Sequence, residues 1–397
     1  MTASRIFRNS AAFSRGSYQF QRIQSLRAAG EALEAVRACP RYQPTPLLSL
    51  PGAARRVGVA SVHYKDESRR FGAKSFKTLG GGYAVCRLLQ RELSAKLGRD
   101  VKLSELFEGA HRRHAAMLTM MCASDGNHGL AVAEASRMLG CKCIVFLHSG
   151  VSPSRVAAIE SRGANVVRTD GDYDKSVVEA AAAATAPTSR LVADTSNDPD
   201  DPVSMQVMQG YAVIAIETLD QLEAAGEKAP THVFLQGGVG GLAGALTAYF
   251  WERLGDEAPV SVIVEPERAD CLFQSIHAGE PRRASGDLET IMAGLSCGEV
   301  SRTAWPILVA GAHYYMVIAD AQAADAMRLL ASGELGGSIV AGESGAAGLA
   351  GLLALARTGA GLNSASRVLL IGTEGATDPD IYTRIVGRRP EQVGAGA

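Results

Sequence analysis

The sequence has no excess of charge of either sign. Its 397 residues include 40 lysines and arginines against 41 aspartates and glutamates, which gives a formal net charge of −1. Binding to nucleic acid or to a membrane surface relies on a strong basic excess, so we predict neither partner. No apolar run reaches the roughly 20 residues that a membrane-spanning helix needs. With 47% hydrophobic and 20% charged residues, the composition is typical of a globular protein.

Paired cysteine motifs are also missing. The seven cysteines are an odd number and none has Cys-x-x-Cys spacing, which argues against a disulfide framework and against zinc. We therefore expect a cytoplasmic protein without a bound metal. The first thirty residues contain five arginines, and the first acidic residue is Glu31. Mitochondrial leaders share this composition, so mitochondrial targeting is the alternative, whereas the lack of an apolar signal segment excludes secretion.

What the sequence does contain is a regular alternation of β-branched runs with stretches rich in alanine and leucine. Strands are predicted at residues 62–65, 143–147, 165–168, 232–235, 260–264 and 368–371. Helices are predicted at residues 129–139, 153–161, 173–184 and 240–252. Strands that alternate with helices of this size predict a largely parallel α/β fold. The stretch from Thr195 to Pro202 is rich in Asp, Asn and Pro, which predicts a loop.

The segment KDESRRFGAKSFKTLGGGY, residues 65–83, contains the first candidate for chemistry. A strand ends in Lys-Asp-Glu and a helix is predicted to begin near Ser75, which places Lys77 in its first turn. The positive end of the helix dipole favours the neutral form of a lysine amine. A neutral amine is the form that attacks a carbonyl group to make a Schiff base. An ordinary solvated lysine is the alternative for this segment alone.

Two polar turns follow predicted strands. In ASDGNHG, residues 123–129, the glycines permit a tight turn and Asn127 and His128 stand at the start of a helix, where backbone N–H groups can bind a carboxylate. In LLIGTEGATD, residues 369–378, Thr373 ends a strand, where its hydroxyl can face a ring nitrogen. A capped turn at the first segment and a simple turn-forming threonine at the second are the alternatives.

The glycine-rich segment QGGVGGLAG, residues 236–244, lies between a strand and a helix. Backbone amides together with a helix N-terminus form a phosphate-binding site. The same residues also fit the dinucleotide pattern GxGxxA, and Glu265 ends the next strand, where a ribose-binding acid would stand. A nicotinamide-dependent oxidoreductase is therefore an alternative that this segment leaves open.

Taken in order, these segments resemble the fold type II family of pyridoxal-phosphate enzymes, and within it the diaminopropionate ammonia-lyases. The resemblance covers nearly the whole chain. The matching segments are YQPTPL at 42–47, KDESRRFG at 65–72, SFK at 75–77, SDGNHG at 124–129, MQGY at 208–211, VEPERADC at 264–271, IMAGLSCGE at 291–299, GESGA at 342–346 and GTEGATD at 372–378. So many ordered matches are more specific than one glycine-rich loop.

The resemblance implies a fold and a domain organisation. We expect two three-layer α/β/α domains with largely parallel sheets and the active site between them. The large domain is predicted at residues 1–82 and 201–397, and the small domain at residues 83–200. Members of this family are commonly homodimers, and we expect a homodimer that binds pyridoxal 5′-phosphate and a small amino-acid substrate.

The family's cofactor-binding residues correspond to specific positions in this sequence. Lys77 resembles the lysine that carries the cofactor, with Phe76 beside it. Asn127 resembles the residue that binds the 3′-oxygen of the ring, and Thr373 the partner of the ring nitrogen. The segment that resembles the phosphate loop consists of Gly237, Gly238, Val239, Gly240 and Gly241.

The implied reaction is elimination of ammonia from 2,3-diaminopropionate, which yields pyruvate and ammonia. Asp125 resembles an acid that handles the Cα proton together with Lys77, and bases on opposite faces would allow both D and L substrates. Asp194 resembles a second acid near the substrate amine. Alternatives are a dehydratase or lyase acting on another β-substituted alanine, such as serine, threonine, hydroxyaspartate or an N-substituted compound. The nicotinamide oxidoreductase and a non-catalytic binding protein are further alternatives.

One segment departs from the ammonia-lyases. After Asp194-Thr195 those enzymes continue Trp-Glu-Gly-Tyr, whereas this chain continues SNDPDDPVS at 196–204. Asp198, Asp200 and Asp201 are candidates for binding a cationic substrate, and a solvated acidic loop is the alternative. The resemblance therefore leaves the substrate and its stereochemistry open.

Overall fold

The computed structural model describes residues 4–12, 17–171 and 173–394. Their strands are β1 (Arg5–Arg8), β2 (Leu47–Ser49), β3 (Ser61–Asp66), β4 (Thr119–Ala123), β5 (Lys142–His148), β6 (Asn165–Thr169), β7 (Ser189–Leu191), β8 (His232–Gln236), β9 (Val260–Pro266), β10 (Tyr314–Ile318) and β11 (Arg367–Gly372). The first eight α-helices are α1 (Leu26–Arg37), α2 (Pro51–Val57), α3 (Lys77–Leu97), α4 (Leu103–Phe107), α5 (Arg112–Ala115), α6 (Asn127–Leu139), α7 (Pro153–Glu160) and α8 (Tyr173–Ala183). The others are α9 (Pro202–Ala224), α10 (Gly241–Leu254), α11 (Cys271–Ala278), α12 (Trp305–Gly311), α13 (Asp320–Ser332), α14 (Ala347–Ala356), α15 (Pro379–Val386) and α16 (Pro390–Gly394).

Seven strands form the larger sheet, in the order β1-β10-β9-β8-β11-β3-β2. The five inner strands are parallel, and the edge strands β1 and β2 are antiparallel to their neighbours. Parallel sheets are covered by helices on both faces, so their strands are apolar on both sides. In β8, Val233 and Leu235 pack with α3, α9 and α10, whereas Phe234 packs on the opposite face with α13 and α14.

The smaller sheet has the order β6-β5-β4-β7 and is parallel throughout. Its two faces are also covered, because Cys122 and Val145 pack with α6 while Met121 and Phe146 pack with α8. The predicted α/β fold with largely parallel sheets is therefore confirmed. The smaller sheet lies within residues 83–200, while the predicted division after residue 82 falls inside α3; the domain boundaries stay a prediction.

The predicted strands and helices are present, with ends shifted by a few residues. Five strands were not predicted: β1, β2, β4, β7 and β10. Three of them, β1, β2 and β7, are short edge strands, where the sequence needs little β-branched character. The strand β10 was not predicted, although its sequence YYMVI has the aromatic and β-branched residues of a typical strand. The strand β4 has the sequence TMMCA, which lacks the valines and isoleucines of a typical buried strand. Within the described ranges, no helix combines the length and apolarity that crossing a bilayer requires.

Candidate active site

The carboxyl ends of strands from both sheets face one cleft, whose empty space is about 870 Å³. In the large sheet, β3 leads to Lys77, β8 to Gly237 and β11 to Thr373. In the small sheet, β4 leads to Asp125 and β7 to Asp194. Ligands of parallel α/β proteins bind at this edge of the sheet. Sequence reasoning from five separate segments thus converges on a single cleft.

Nearly all the predicted site residues line this cleft. They are Phe76, Lys77, Asp125, Asn127, Asp194, Gly237, Gly238, Val239, Gly241 and Thr373. The exception is Gly240, which is the N-cap of α10 and has a φ of 100°. A Cβ atom there would lie 2.8 Å from Cδ1 of Leu308, so this residue faces the core. It contributes to the conformation of the loop and does not line the cleft.

Lys77 is the first residue of α3 and follows the N-cap Phe76. Its Nζ donates to Oδ2 of Asp194 at 2.7 Å and lies 5.5 Å from the ring centroid of Phe76 and 5.9 Å from that of Tyr211. Burial acts to lower the pKa of Lys77, but the carboxylate of Asp194 outweighs it and raises the pKa above its usual range. The expectation that the helix dipole keeps this amine neutral is therefore wrong for the free lysine, since the ion pair dominates.

Asp194 is the anionic partner in this pair. Burial alone would raise its pKa, but the charge of Lys77 lowers the pKa of Asp194 to about 2. His128 lies close by, with Nδ1 4.0 Å from Oδ2 of Asp194. Because Nε2 of His128 donates to the carbonyl oxygen of Val192 at 2.7 Å, Nδ1 is the unprotonated nitrogen, and burial lowers the pKa of this imidazole. This part of the cleft thus contains the Lys77–Asp194 ion pair beside a neutral histidine.

Asp125 follows β4 on the other side of the cleft. Its Oδ1 lies 3.1 Å from Nε2 of His148, the last residue of β5. The guanidinium of Arg155, which also lines the cleft, donates to the backbone oxygen of Asp125 at 3.3 Å. Asp125 is therefore held by contacts on both its side chain and its backbone.

The glycine-rich loop joins β8 to α10. Gly237 has to be glycine because a Cβ atom would lie 2.5 Å from Cγ of Glu265, and Gly238 adopts a φ of 59°. The first amides of α10 have no partner within the helix, and its first residues, Gly241 and Leu242, line the cleft, which suits a phosphate dianion.

The nicotinamide interpretation of this loop required Glu265 to bind a ribose. Instead, Glu265 is fully buried and accepts hydrogen bonds from the backbone N–H groups of Leu272 (2.9 Å) and Phe273 (2.7 Å). Burial raises its pKa to about 8. The carboxylate supports the start of α11 behind the loop and is not available to a ligand, so the dinucleotide interpretation loses its acidic residue.

Several residues of the cleft were not singled out in the sequence. The side chain of Glu374 is buried and accepts from the side-chain N–H of Asn127 and from the backbone N–H of Ser344 at 3.2 Å. Tyr211 packs on Phe76 with ring centroids 4.7 Å apart. Cys297 also lines the cleft, and burial raises the pKa of its thiol to about 12. All three lie in segments that carried the family resemblance, which was the only signal for them.

The acidic segment after Asp194 lies outside the lining of the cleft. Asp201 is the N-cap of α9 and accepts from the backbone N–H of Ser204 at 3.0 Å. Asp198 accepts from the backbone N–H of Asp200 at 2.9 Å, and Asp200 forms an ion pair with Arg22. These aspartates stabilise the loop and the start of the helix.

Comparison with known proteins identifies the family. The profile of a family described as "Pyridoxal-phosphate dependent enzyme" matches residues 39–374. The chain belongs to this family. Diaminopropionate ammonia-lyase from Salmonella typhimurium is 37% identical over 368 residues, which cover 90% of this chain and 91% of the relative.

Solved structures of the same kind of enzyme share the fold. Diaminopropionate ammonia lyase from Escherichia coli in complex with D-serine has a TM-score of 0.87 at 34% identity, with 97% of each chain covered. The same enzyme with an aminoacrylate–PLP azomethine reaction intermediate has a TM-score of 0.86 at 34% identity, with 96% of each chain covered. The prediction of a fold type II pyridoxal-phosphate enzyme is confirmed.

The cleft fits pyridoxal phosphate on its own geometry. It offers the amine of Lys77 and a glycine loop at a helix N-terminus, whose residues Gly237, Gly238 and Gly241 line the cleft without side chains. Between them stand the hydroxyl of Thr373 and the amide of Asn127. In the described part of the chain, no group of three or more His, Cys, Asp or Glu side chains is placed to hold a metal ion.

Proposed function

We propose that this enzyme removes ammonia from 2,3-diaminopropionate by β-elimination. The enamine left behind hydrolyses to pyruvate and a second ammonia. The observation that carries the proposal is the convergence of Lys77, Asp125 and Asp194 on one cleft beside the glycine loop. The identity to the ammonia-lyases across nearly the whole chain supports it.

The bound pyridoxal phosphate would be held by residues from both sheets. Lys77 would carry it, with Phe76 beside its ring, and Gly237 to Gly241 would bind its phosphate. Asn127 would bind the 3′-oxygen and Thr373 the ring nitrogen. When bound, the cofactor takes up the negative charge that develops as the Cα proton leaves.

The side chains of the cleft would handle the charges and protons of the substrate. Lys77 and Asp125 come from different sheets, and either could remove the Cα proton of a substrate lying between them. Asp194 already binds an ammonium group, that of Lys77, at 2.7 Å. When Lys77 carries the cofactor, Asp194 would bind an ammonium group of the substrate instead.

The test is an absorption spectrum of the purified enzyme, followed by assays of pyruvate release from D- and L-diaminopropionate. We expect the visible band of the lysine-bound cofactor, and we expect Lys77→Ala to remove both the band and the activity. Lys96→Ala, on the exposed last turn of the same helix, is the matched control and should change neither. A cofactor band without pyruvate release from either enantiomer would overturn the substrate assignment and leave the cofactor assignment standing.

A second candidate is elimination from another β-substituted alanine, such as serine, threonine, hydroxyaspartate or an N-substituted compound. The segment at 196–204 supports this second candidate, because it replaces the residues that follow Asp194 in the ammonia-lyases. Probable D-serine dehydratase from Burkholderia pseudomallei is 29% identical over 70% of this chain. Steady-state rates on a panel of such compounds would decide, and a higher kcat/KM for any of them than for diaminopropionate would replace the first proposal.

We further propose that the enzyme is a cytoplasmic homodimer. All seven cysteines are free thiols in the structure, which supports a reducing compartment. The residues Arg5–Arg8 of the arginine-rich segment form β1 within the large sheet, which supports their retention in the folded enzyme. Light scattering of the purified enzyme measures the oligomeric state, and a monomeric mass would overturn the dimer.

A further inference from the structure

We infer that His148 is a positioning residue that orients the carboxylate of Asp125 for proton transfer at the Cα atom of the substrate. The inference rests on the proposed function only for the role of Asp125 as a base. The contact between the two side chains, the hydrogen bond to the imidazole and the place of Asp125 in the cleft lining are features of the structure.

The two residues are brought together by the register of the small sheet. In the parallel pair β4–β5, Ala123 is the partner of Phe146. Asp125 and His148 each lie two residues further along, so they leave the sheet side by side at its carboxyl edge. Nε2 of His148 lies 3.1 Å from Oδ1 of Asp125, and about a quarter of each side chain is exposed.

A second hydrogen bond determines which nitrogen of His148 carries the proton. The backbone N–H of Gly150 donates to Nδ1 at 3.2 Å. Nδ1 must therefore be the acceptor nitrogen, and in the neutral ring the proton is on Nε2, directed at Asp125. His148 thus offers Asp125 a hydrogen-bond donor that is fixed by the turn at residues 148–150.

In this arrangement Oδ1 of Asp125 is hydrogen-bonded to His148, and Oδ2 is left to accept the proton from the substrate. Among the described residues, His148 is the side chain that donates to Asp125, and it binds Oδ1. Oδ2 then has a defined direction, which a base needs because proton transfer requires hydrogen-bond geometry to the proton that is removed. A carboxylate free to rotate about χ2 would present Oδ2 in this direction only part of the time.

The test uses the two enantiomers of the substrate as mutual controls in the holoenzyme. Asp125→Asn first identifies the enantiomer whose elimination depends on Asp125. His148→Phe removes the donor and should lower kcat for that same enantiomer by about 10- to 100-fold, since a well-placed base contributes about 10²- to 10⁴-fold. KM should stay within about twofold, and kcat for the other enantiomer should not change.

Two further variants separate positioning from a structural role. His148→Gln keeps a side-chain N–H donor and should restore most of the lost kcat. His111→Phe disrupts a histidine–carboxylate pair of similar length, 3.2 Å to Glu105, that lies outside the cleft, and it should behave as wild type. Equal loss for both enantiomers, no loss for either, or a Gln variant as impaired as the Phe variant would each overturn the inference.

A measurement independent of activity distinguishes this inference from the proposed function. Nitrogen-15 NMR of the imidazole of His148 in the holoenzyme should show the proton on Nε2, with a resonance that shifts in Asp125→Asn. A proton on Nδ1, or no response to Asp125→Asn, would overturn the contact. If the wild-type enzyme eliminates ammonia from neither enantiomer, the proposed function fails and the NMR result alone decides the contact.

Discussion

Lys77 and Asp194 form an ion pair at 2.7 Å although they lie 117 residues apart in the sequence. Lys77 begins the helix that follows the large sheet's strand β3, and Asp194 follows β7 of the small sheet. The pair therefore connects the two sheets across the cleft. Before the cofactor binds, the carboxylate is already placed and ionised to receive an ammonium group.

Asp194→Asn should destabilise the cofactor-free protein at neutral pH. The folded pKa of Asp194 is lowered to about 2 from an ordinary 3.8, so its ionised form contributes about 2 kcal/mol of stability above pH 4. That contribution is lost as the pH falls through 2, because the carboxylate is then protonated in both states. Urea unfolding should show a gap between wild type and variant that closes between pH 4 and pH 2. A gap that does not depend on pH would contradict the ionic origin.

Gly240→Ala should weaken cofactor binding by about tenfold. Gly240 has a φ of 100°, and a methyl group would lie 2.8 Å from Leu308, so the loop has to shift. Gly226→Ala is the matched control, since Gly226 also has a left-handed φ of 70° but has nothing within 4 Å of its Cβ position. Titration of the apoenzyme with pyridoxal phosphate, followed by visible absorption, measures both. Equal affinities in the two variants would show that the loop geometry does not matter for the phosphate.

Glu374→Ala should lower the affinity for pyridoxal phosphate about tenfold by releasing the side chain of Asn127. A hydrogen bond to a charged group contributes about 1.5–3 kcal/mol, and Glu374 accepts one from Asn127. Glu374→Gln keeps an acceptor oxygen and should lose less. A double-mutant cycle with Asn127→Ala tests the connection, and additive losses in cofactor affinity would show that Glu374 acts by another route.

Glu343→Gln should stabilise the enzyme more at pH 8 than at pH 5. Burial and the neighbouring carboxylate of Glu374 raise the pKa of Glu343 to about 7, with Arg155 and Asp378 also nearby. The folded state then binds a proton that the unfolded state has lost, so wild-type stability falls as the pH rises from about 4.5 to about 7. Glutamine has no such proton, and the gain at pH 8 relative to pH 5 should be about 1–3 kcal/mol. Urea unfolding at the two pH values measures it, and an equal effect at both would contradict the shifted pKa.

Local signals predicted six of the strands, four of the helices and the start of α3, together with the glycine loop, whereas Phe76 and Asp194 came from the family resemblance. A buried strand followed by a polar or glycine-rich turn marks the carboxyl edge of a parallel sheet, where sites form. The contacts of Glu374 with Asn127 and of His148 with Asp125 could not be predicted in this way. Each depends on which strands are neighbours and in what register, and no local pattern contains that information.

The glycine loop illustrates the same limit. Its sequence alone fits both a phosphate site and a dinucleotide site, and within the structure the packing of Glu265 behind the loop separates the two. The three aspartates at 198, 200 and 201 likewise looked available for a cationic ligand. Their hydrogen bonds within the loop and at the start of α9 show why composition alone could not assign them.

The order of strands in the large sheet also determines when the active site can form during synthesis. The strand that precedes Lys77, β3, is paired in the sheet's interior with β11, the last strand in the described part of the chain, with Ser61 opposite Arg367. A ribosome must therefore synthesise the chain through β11 before β3 and β8 gain the strand that joins them. Until then each of these strands has an unpaired edge, and unpaired strand edges promote aggregation. A translation product that ends before β11 therefore cannot form the complete cleft, even though it includes Lys77, Asp125 and Asp194.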